Sequence, residues 1–207
     1  MEKLTIDAFK SMMRFALTNI TERAEELSNL DAVAGDGDHG TAIVAALNAV
    51  MKAGESGVEF NEMLGNMAFG TMEESCGSTS TLMGAFFMGM ADASKGDALD
   101  VKEVKNMFRS GLNMLQTQTK AKIGDKTMMD ALVPAVEAIE SAEGDIVEIL
   151  NKGAKAALVG AEKTIAMKAN FGRARHLGER SIGTADPGAT SWACMFESFS
   201  KAIEQYV

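Results

Sequence analysis

Three aspartates, Asp31, Asp36 and Asp38, fall close together in the stretch LDAVAGDGDHGTAI, residues 30–43, with His39 beside them. Carboxylates crowded in this way repel one another and strain the fold unless a cation removes the repulsion. Mg2+ suits such a set. It takes oxygen ligands, keeps several waters and commonly joins protein carboxylates to nucleotide phosphates. A single aspartate here would be read as a helix cap or a solvated turn residue. Three together, beside other glycine-rich loops, point instead to phosphate binding through a metal.

Two competing motifs fail on their own terms. GDGDHG at 35–40 fits G-x-G-x-x-G, but that motif seats a pyrophosphate on bare backbone, and Asp36 and Asp38 would repel it; nor does the chain continue as a βαβ unit. Read as an EF-hand from Asp36, the twelfth position is Leu47, which has no oxygen to offer.

Other stretches could serve phosphates. CGSTST at 76–81 is a glycine and hydroxyl loop ahead of a helix, suited to phosphate oxygens or to an ordinary N-cap. Arg180 offers a guanidinium fork to a phosphate, or is a solvated surface residue. Lys126 in GDKT resembles a P-loop tail, but the G-x-x-x-x-G-K run is absent. His39 is either a phosphate partner or a turn residue. His176, Cys76 and Cys194 form no nucleophile arrangement.

The elements that must position these groups are helical. Ile6, Phe9, Met13, Leu17, Ile20, Ala24 and Leu27 recur at steps of three and four, and predict one helix over about 5–29. Similar patterns follow the aspartate loop up to Met51, from Phe60 to Ala68, from Leu82 to Met90 and from Val101 to Leu115. Asp100 is a cap candidate for the last of these. A sixth helix begins near Thr127, with Pro134 bending it or marking its first turn. A seventh, capped by EGD at 143–145, runs to about 169. After a loop from Phe171, Asp186 and Pro187 open the eighth. The expected fold is therefore all-α, a closed up-and-down barrel or bundle of eight antiparallel amphipathic helices. In such an array every second loop sits at the same end, so the loops bearing Asp31/Asp36/Asp38, Ser78/Thr79, Gly124/Lys126 and Arg180/Asp186 should converge.

The bulk composition agrees. A chain of 207 residues is expected to form one domain, 1–207, and its two prolines, one Trp, one Tyr and 16 methionines favour helix over sheet. The methionines at helical spacing read as adaptable core filler. A net charge of −9 argues against nucleic acid as a partner. Charges at the start of the chain leave no signal-peptide core, and no run reaches membrane-spanning length, so the expectation is a cytoplasmic protein with reduced cysteines and no membrane contact.

Four stretches taken together, GDGDHG, GSTSTLMG, GDKTMMDALVP at 124–134 and GERSIGTADPGATS at 178–191, resemble the DhaL or Dak2 family of dihydroxyacetone kinase nucleotide-binding subunits. The resemblance implies a helical barrel closed at one end by ADP or ATP and two Mg2+ ions. On it, Asp31, Asp36 and Asp38 hold the metals and His39, Gly40 and Thr41 border the phosphates. Ser78 and Thr79 supply a second loop, Gly124 and Met128 lie by the nucleotide, and Arg180, Asp186, Pro187 and Gly188 close the site. It also implies a separate K subunit holding the ketose covalently, and a phosphotransferase-system protein, DhaM, that rephosphorylates bound ADP; a homodimer is compatible with it. Two places depart from the family pattern: Ala42 replaces an asparagine, and the second loop reads Cys76-Gly77-Ser78-Thr79-Ser80. Outside this reading stand an ATP-dependent ketose or tetrose kinase subunit, a non-catalytic module docking on a transcription factor or kinase, and a metal-dependent phosphohydrolase. The last lacks a general base beside the aspartates.

Overall fold

The structure is a computed structural model that describes residues 1–74 and 77–206. Among them are nine α-helices: α1 (Ile6–Glu22), α2 (Ala24–Ala32), α3 (His39–Ala53), α4 (Phe60–Glu74), α5 (Ser78–Asp92), α6 (Val101–Thr117), α7 (Met129–Ser141), α8 (Ile146–Lys163) and α9 (Pro187–Tyr206). Helices α1 and α3 to α9 pack each on the next, and α9 returns to α1, closing a ring of eight. This is the expected antiparallel all-α barrel, with α2 as an extra piece against α3 and α9.

The extra helix arises where one continuous helix was expected over 5–29. Arg23 leaves helical geometry (φ −102°, ψ 7°) and separates the two helices. No glycine or proline marks the break. Its reason is tertiary: α2 leans on the start of α3, where the Gly40 amide donates to the Ser28 hydroxyl at 3.2 Å. A Cβ at Gly40 would meet the Ala24 carbonyl oxygen, so only glycine lets the two backbones come so close.

Several ends follow the sequence signals. Asp100 and Asp145 form capping boxes with Glu103 and Glu148. Asp186 accepts the Ala189 amide at 2.7 Å and Pro187 opens α9. Pro134 lies inside α7 rather than at its start, and α8 stops at Lys163, short of 169, where a 3-10 turn takes over. A short antiparallel pairing of Lys3–Thr5 (β1) with Ala98–Asp100 (β2) ties the far end of the barrel; the second strand lies in a stretch that reads as plain turn in the sequence.

The barrel is filled by the inward faces. Phe86 stacks edge-on against Trp192 at 5.1 Å, and Phe108 bridges Phe86 and Phe196. Met12, Met13, Met63, Met67, Met83, Met90, Met107 and Met195 are all buried, as gap-filling thioethers should be. Cys194 is a buried free thiol; Cys76 lies outside the described residues. No helix among the described residues is long and apolar enough to cross a membrane.

Candidate functional site

At the end of the barrel away from the strands, the loop after α2, the start of α5, the loop before α7 and the segment before α9 surround one cleft. The local fold explains how the aspartates gather. Asp31 lies in the last turn of α2 and its Oδ2 accepts the amides of Gly37 (2.9 Å) and Asp38 (3.2 Å), which curls the loop back onto it. Gly35 leaves room for that carboxylate: a Cβ there would lie 2.4 Å from the Asp31 Oδ1 and push the side chain aside. Asp38 occupies the N-cap position of α3, yet its side chain takes no capping hydrogen bond. One oxygen from each of Asp31, Asp36 and Asp38 can be chosen so that the three lie within 4.8 Å of one another.

That geometry fits a divalent cation. A stand-in charge already sits on the set: Arg173 Nη1 lies 2.6 Å from Asp36 Oδ2. Its hydrogen bond holds the Asp36 carboxyl below the usual carboxylate range and raises the guanidinium in turn. Both side chains are largely exposed, so the pair is dissociable.

The cleft has two joined compartments. The acidic one, about 230 Å³, is lined by Asp31, Ala34, Gly35, Asp38, Lys126 and Pro187 among others. The apolar one, about 380 Å³, is lined by Leu82, Ala121, Met128, Met129, Gly188 and Trp192. His39, Ser78, Thr79, Thr127, Phe171, Gly172, Arg173 and Asp186 line both. The larger compartment alone lies within the ~300–1,000 Å³ of small-molecule sites. Gly77 precedes α5 with a positive φ of 104°, and Ser78 and Thr79 at the start of that helix line both compartments.

His39 is held in place by Ser191, its Nε2 lying 2.9 Å from a hydroxyl that itself donates to the Gly188 carbonyl. An Nε2–H donor satisfies that arrangement. Burial keeps the imidazole below its ordinary pKa despite Asp31 and Asp38 nearby. Lys126, 5% exposed, donates to the carbonyls of Met167, Ser181 and Thr184, so it pins the segment before α9 rather than reaching outward. GDKT is shaped by Asp130, whose two oxygens accept the Gly124 and Thr127 amides at 2.5 and 2.9 Å. Asp186 retains some exposed surface toward the cleft, but its carboxyl is closely enclosed, and burial pushes its pKa up to about 7.

The structure thus brings together Asp31, Asp38, His39, Ser78, Thr79, Met128, Asp186, Pro187 and Gly188 around the cleft, with Asp36 at its lip. Four expected residues stand elsewhere. Gly40 is buried under α2, Thr41 is exposed and lines neither compartment, and Gly124 faces open space outside the lining. Arg180 is exposed in the 3-10 segment Arg173–Ser181 and lines neither compartment. Sequence reasoning missed Phe171, Gly172 and Arg173. Its one available signal was the glycine, whose φ of 64° turns the chain between the two flanking side chains.

The DAK2 domain model matches residues 33–201, most of the chain. The chain belongs to the DAK2 domain family. This DAK2 domain is 33% identical over 188 residues to the PEP-dependent dihydroxyacetone kinase, ADP-binding subunit DhaL of Escherichia coli K12, covering 88% of this chain and 90% of that one. It is 31% identical over 204 residues to the PTS-dependent dihydroxyacetone kinase, ADP-binding subunit DhaL of Lactococcus lactis, covering 97% and 99%. It is also 33% identical over 186 residues to the L-erythrulose 1-kinase of Mycolicibacterium smegmatis, but covers 32% of that longer protein. The DAK2 fold is shared with the dihydroxyacetone kinase of C. freundii solved with AMP-PNP and Mg2+, at a TM-score of 0.70 and 22% identity; the match covers 93% of this chain and 33% of that one.

Proposed function

We propose that this DAK2 domain is the nucleotide-binding subunit of a dihydroxyacetone kinase, working over residues 1–207 as one unit. It would hold ADP or ATP through two Mg2+ ions on Asp31, Asp36 and Asp38, and present the phosphoryl group to a ketose carried by a separate K subunit. The observation that carries this reading is the junction of the acidic trio with the apolar compartment beside Ser78 and Thr79 at the start of α5. One end suits a metal-bridged phosphate chain and the other a flat base. Similarity along nearly the full length of two ADP-binding DhaL subunits supports it.

Bound Mg2+ would neutralise the phosphate charge that otherwise repels a nucleophile. The chain's own groups do the positioning. Ser78 and Thr79 orient phosphate oxygens, and neutral His39, fixed by Ser191, keeps a defined face toward them. Met128 and Trp192 exclude water around the base. Phosphoryl transfer needs alignment more than a protein nucleophile. Rephosphorylation of retained ADP by a DhaM-type protein is the favoured donor route, given the PEP- and PTS-dependent relatives.

Calorimetry with ADP and Mg2+ tests the binding step. The wild-type chain binds, and Asp36→Ala loses about tenfold or more in affinity; unchanged affinity overturns the reading. Assays of phosphoryl transfer with a K subunit, using dihydroxyacetone and L-erythrulose as acceptors, test the chemistry. The equal identity to the erythrulose kinase is the reason to include the tetrose.

A further inference from the structure

We propose that the flank of the cleft built from residues 119–126 and 164–183 is a docking surface for the protein that delivers the phosphoryl group, and that it receives an acidic face of that donor. The inference rests on the reading above in which bound ADP is rephosphorylated in place. It starts from an uneven distribution of charge. These two segments carry seven Lys and Arg against two acids, Asp125 and Glu179, in a chain whose net charge is −9. Two of the seven are occupied within the fold, Lys126 by its three carbonyls and Arg173 by Asp36. Lys120, Lys122, Lys168, Arg175 and Arg180 are all exposed, and none of these five has a carboxylate partner among the described residues.

The two segments form one surface. The Asn170 amide donates to the Asp125 carbonyl at 3.1 Å, the Gly183 amide to the Ile165 carbonyl at 2.8 Å and the Ala169 amide to the Ser181 hydroxyl at 2.9 Å. Three exposed isoleucines, Ile123, Ile165 and Ile182, are thereby set into it, close in the chain to Lys122, Lys168 and Arg180. Exposed apolar side chains among unpaired charges of one sign suit a protein partner of the opposite sign, with charge steering the encounter and fixing its orientation. The same segments line the cleft through Ala121, Phe171 and Gly172, so a partner seated on this flank stands at the nucleotide.

Charge also chooses between the two proteins that must reach the cleft. The K subunit brings a neutral ketose. The donor brings a phosphoryl group carrying nearly two negative charges, so a basic flank attracts it when loaded and releases it once the group is gone. In the transfer itself the bond from phosphorus to the donor breaks as a bond to a β-phosphate oxygen of ADP forms, leaving ATP and the unloaded donor.

Transfer of radiolabelled phosphate from a phosphorylated DhaM-type protein to the ADP-loaded chain tests the surface. The second-order rate constant of the wild type should fall about tenfold or more between about 50 and 200 mM salt, and Lys122→Glu combined with Lys168→Glu should lower it about tenfold or more at the lower salt. Mg-ADP affinity by calorimetry, which also reports that the variant is folded, should stay within about twofold of wild type, because neither lysine lines the cleft. A rate insensitive to salt, or unaltered in the folded double variant, overturns the proposal. So does slowed transfer from the ATP-loaded variant to the ketose on a K subunit with the donor step intact, which assigns the flank to that subunit. A wild-type chain that binds Mg-ADP but accepts nothing from the donor overturns the proposal and leaves the nucleotide reading standing; one that binds no Mg-ADP overturns that reading as well.

Discussion

The Gly40 α-carbon faces the Ala24 carbonyl so closely that a Cβ built on Gly40 would lie 1.8 Å from that oxygen. The obstacle is backbone, which cannot rotate aside. Gly40→Ala must therefore push α2 away from α3, at a cost of about 2–3 kcal/mol and a fall in melting temperature of roughly 5–10 °C. Thermal unfolding without ligand reads it. A melt unchanged within a degree or two contradicts the close packing.

Asp31 has two separable tasks, and two substitutions divide them. Its Oδ2 holds the loop through the Gly37 and Asp38 amides. Asp31→Asn keeps an acceptor oxygen and should stay within about 1 kcal/mol of wild type, whereas Asp31→Ala gives up about 1–3 kcal/mol. Both should lose about tenfold or more in Mg-ADP affinity. Denaturant unfolding beside calorimetry separates the effects; an asparagine variant that binds normally removes Asp31 from the metal set.

Lys126→Met leaves three carbonyls of the segment before α9 without their donor. The opening free energy of that segment should fall by on the order of 3 kcal/mol. Hydrogen exchange at residues 169–186 then speeds up while the amides of α5 and α6 keep their protection. Uniform acceleration over the whole chain would assign Lys126 to global stability instead.

Asp186 gives a pH signature. Its carboxyl titrates at about 7 in the folded protein, against ~4 in an unfolded chain. Between those values the folded state keeps a proton that the unfolded state has released, so this residue's stabilising contribution is lost as pH rises through the window. Asp186→Asn retains an oxygen for the Ala189 amide and does not titrate. Melting curves of the two proteins from about pH 4 to 8 should diverge with rising pH, the variant keeping the higher melting temperature; parallel curves contradict the buried carboxyl.

Particular residues show how much of this was legible in the sequence. The 3.6-residue spacing marked every wall of the barrel, and Asp100, Asp145 and Asp186 announced their helices because a cap is a local interaction between residues three apart. The break at Arg23 was invisible. Its cause is Gly40, whose backbone must meet Ala24, and no pattern within 5–29 records that distant demand. In the cleft, Asp31, Asp36 and Asp38 stood out because three like charges in a short loop are costly on their own. Arg173 did not, since one arginine among several in a polar segment becomes distinctive only when Gly172 points it at Asp36. Arg180 carried the same chemistry and was turned to solvent.

The closure of the ring by α9 bears on synthesis. Helix α1 packs on α9, with the Asn19 side-chain amide donating to the Ser198 hydroxyl at 2.9 Å. Asp186, Pro187 and Gly188 reach the cleft from the foot of that same helix. A nascent chain emerging from the ribosome must therefore carry α1 with one flank unpaired until α9 follows it out. Long-range closure of this kind is slow and leaves apolar surface open meanwhile. The cleft cannot be completed before the foot of the last helix has emerged.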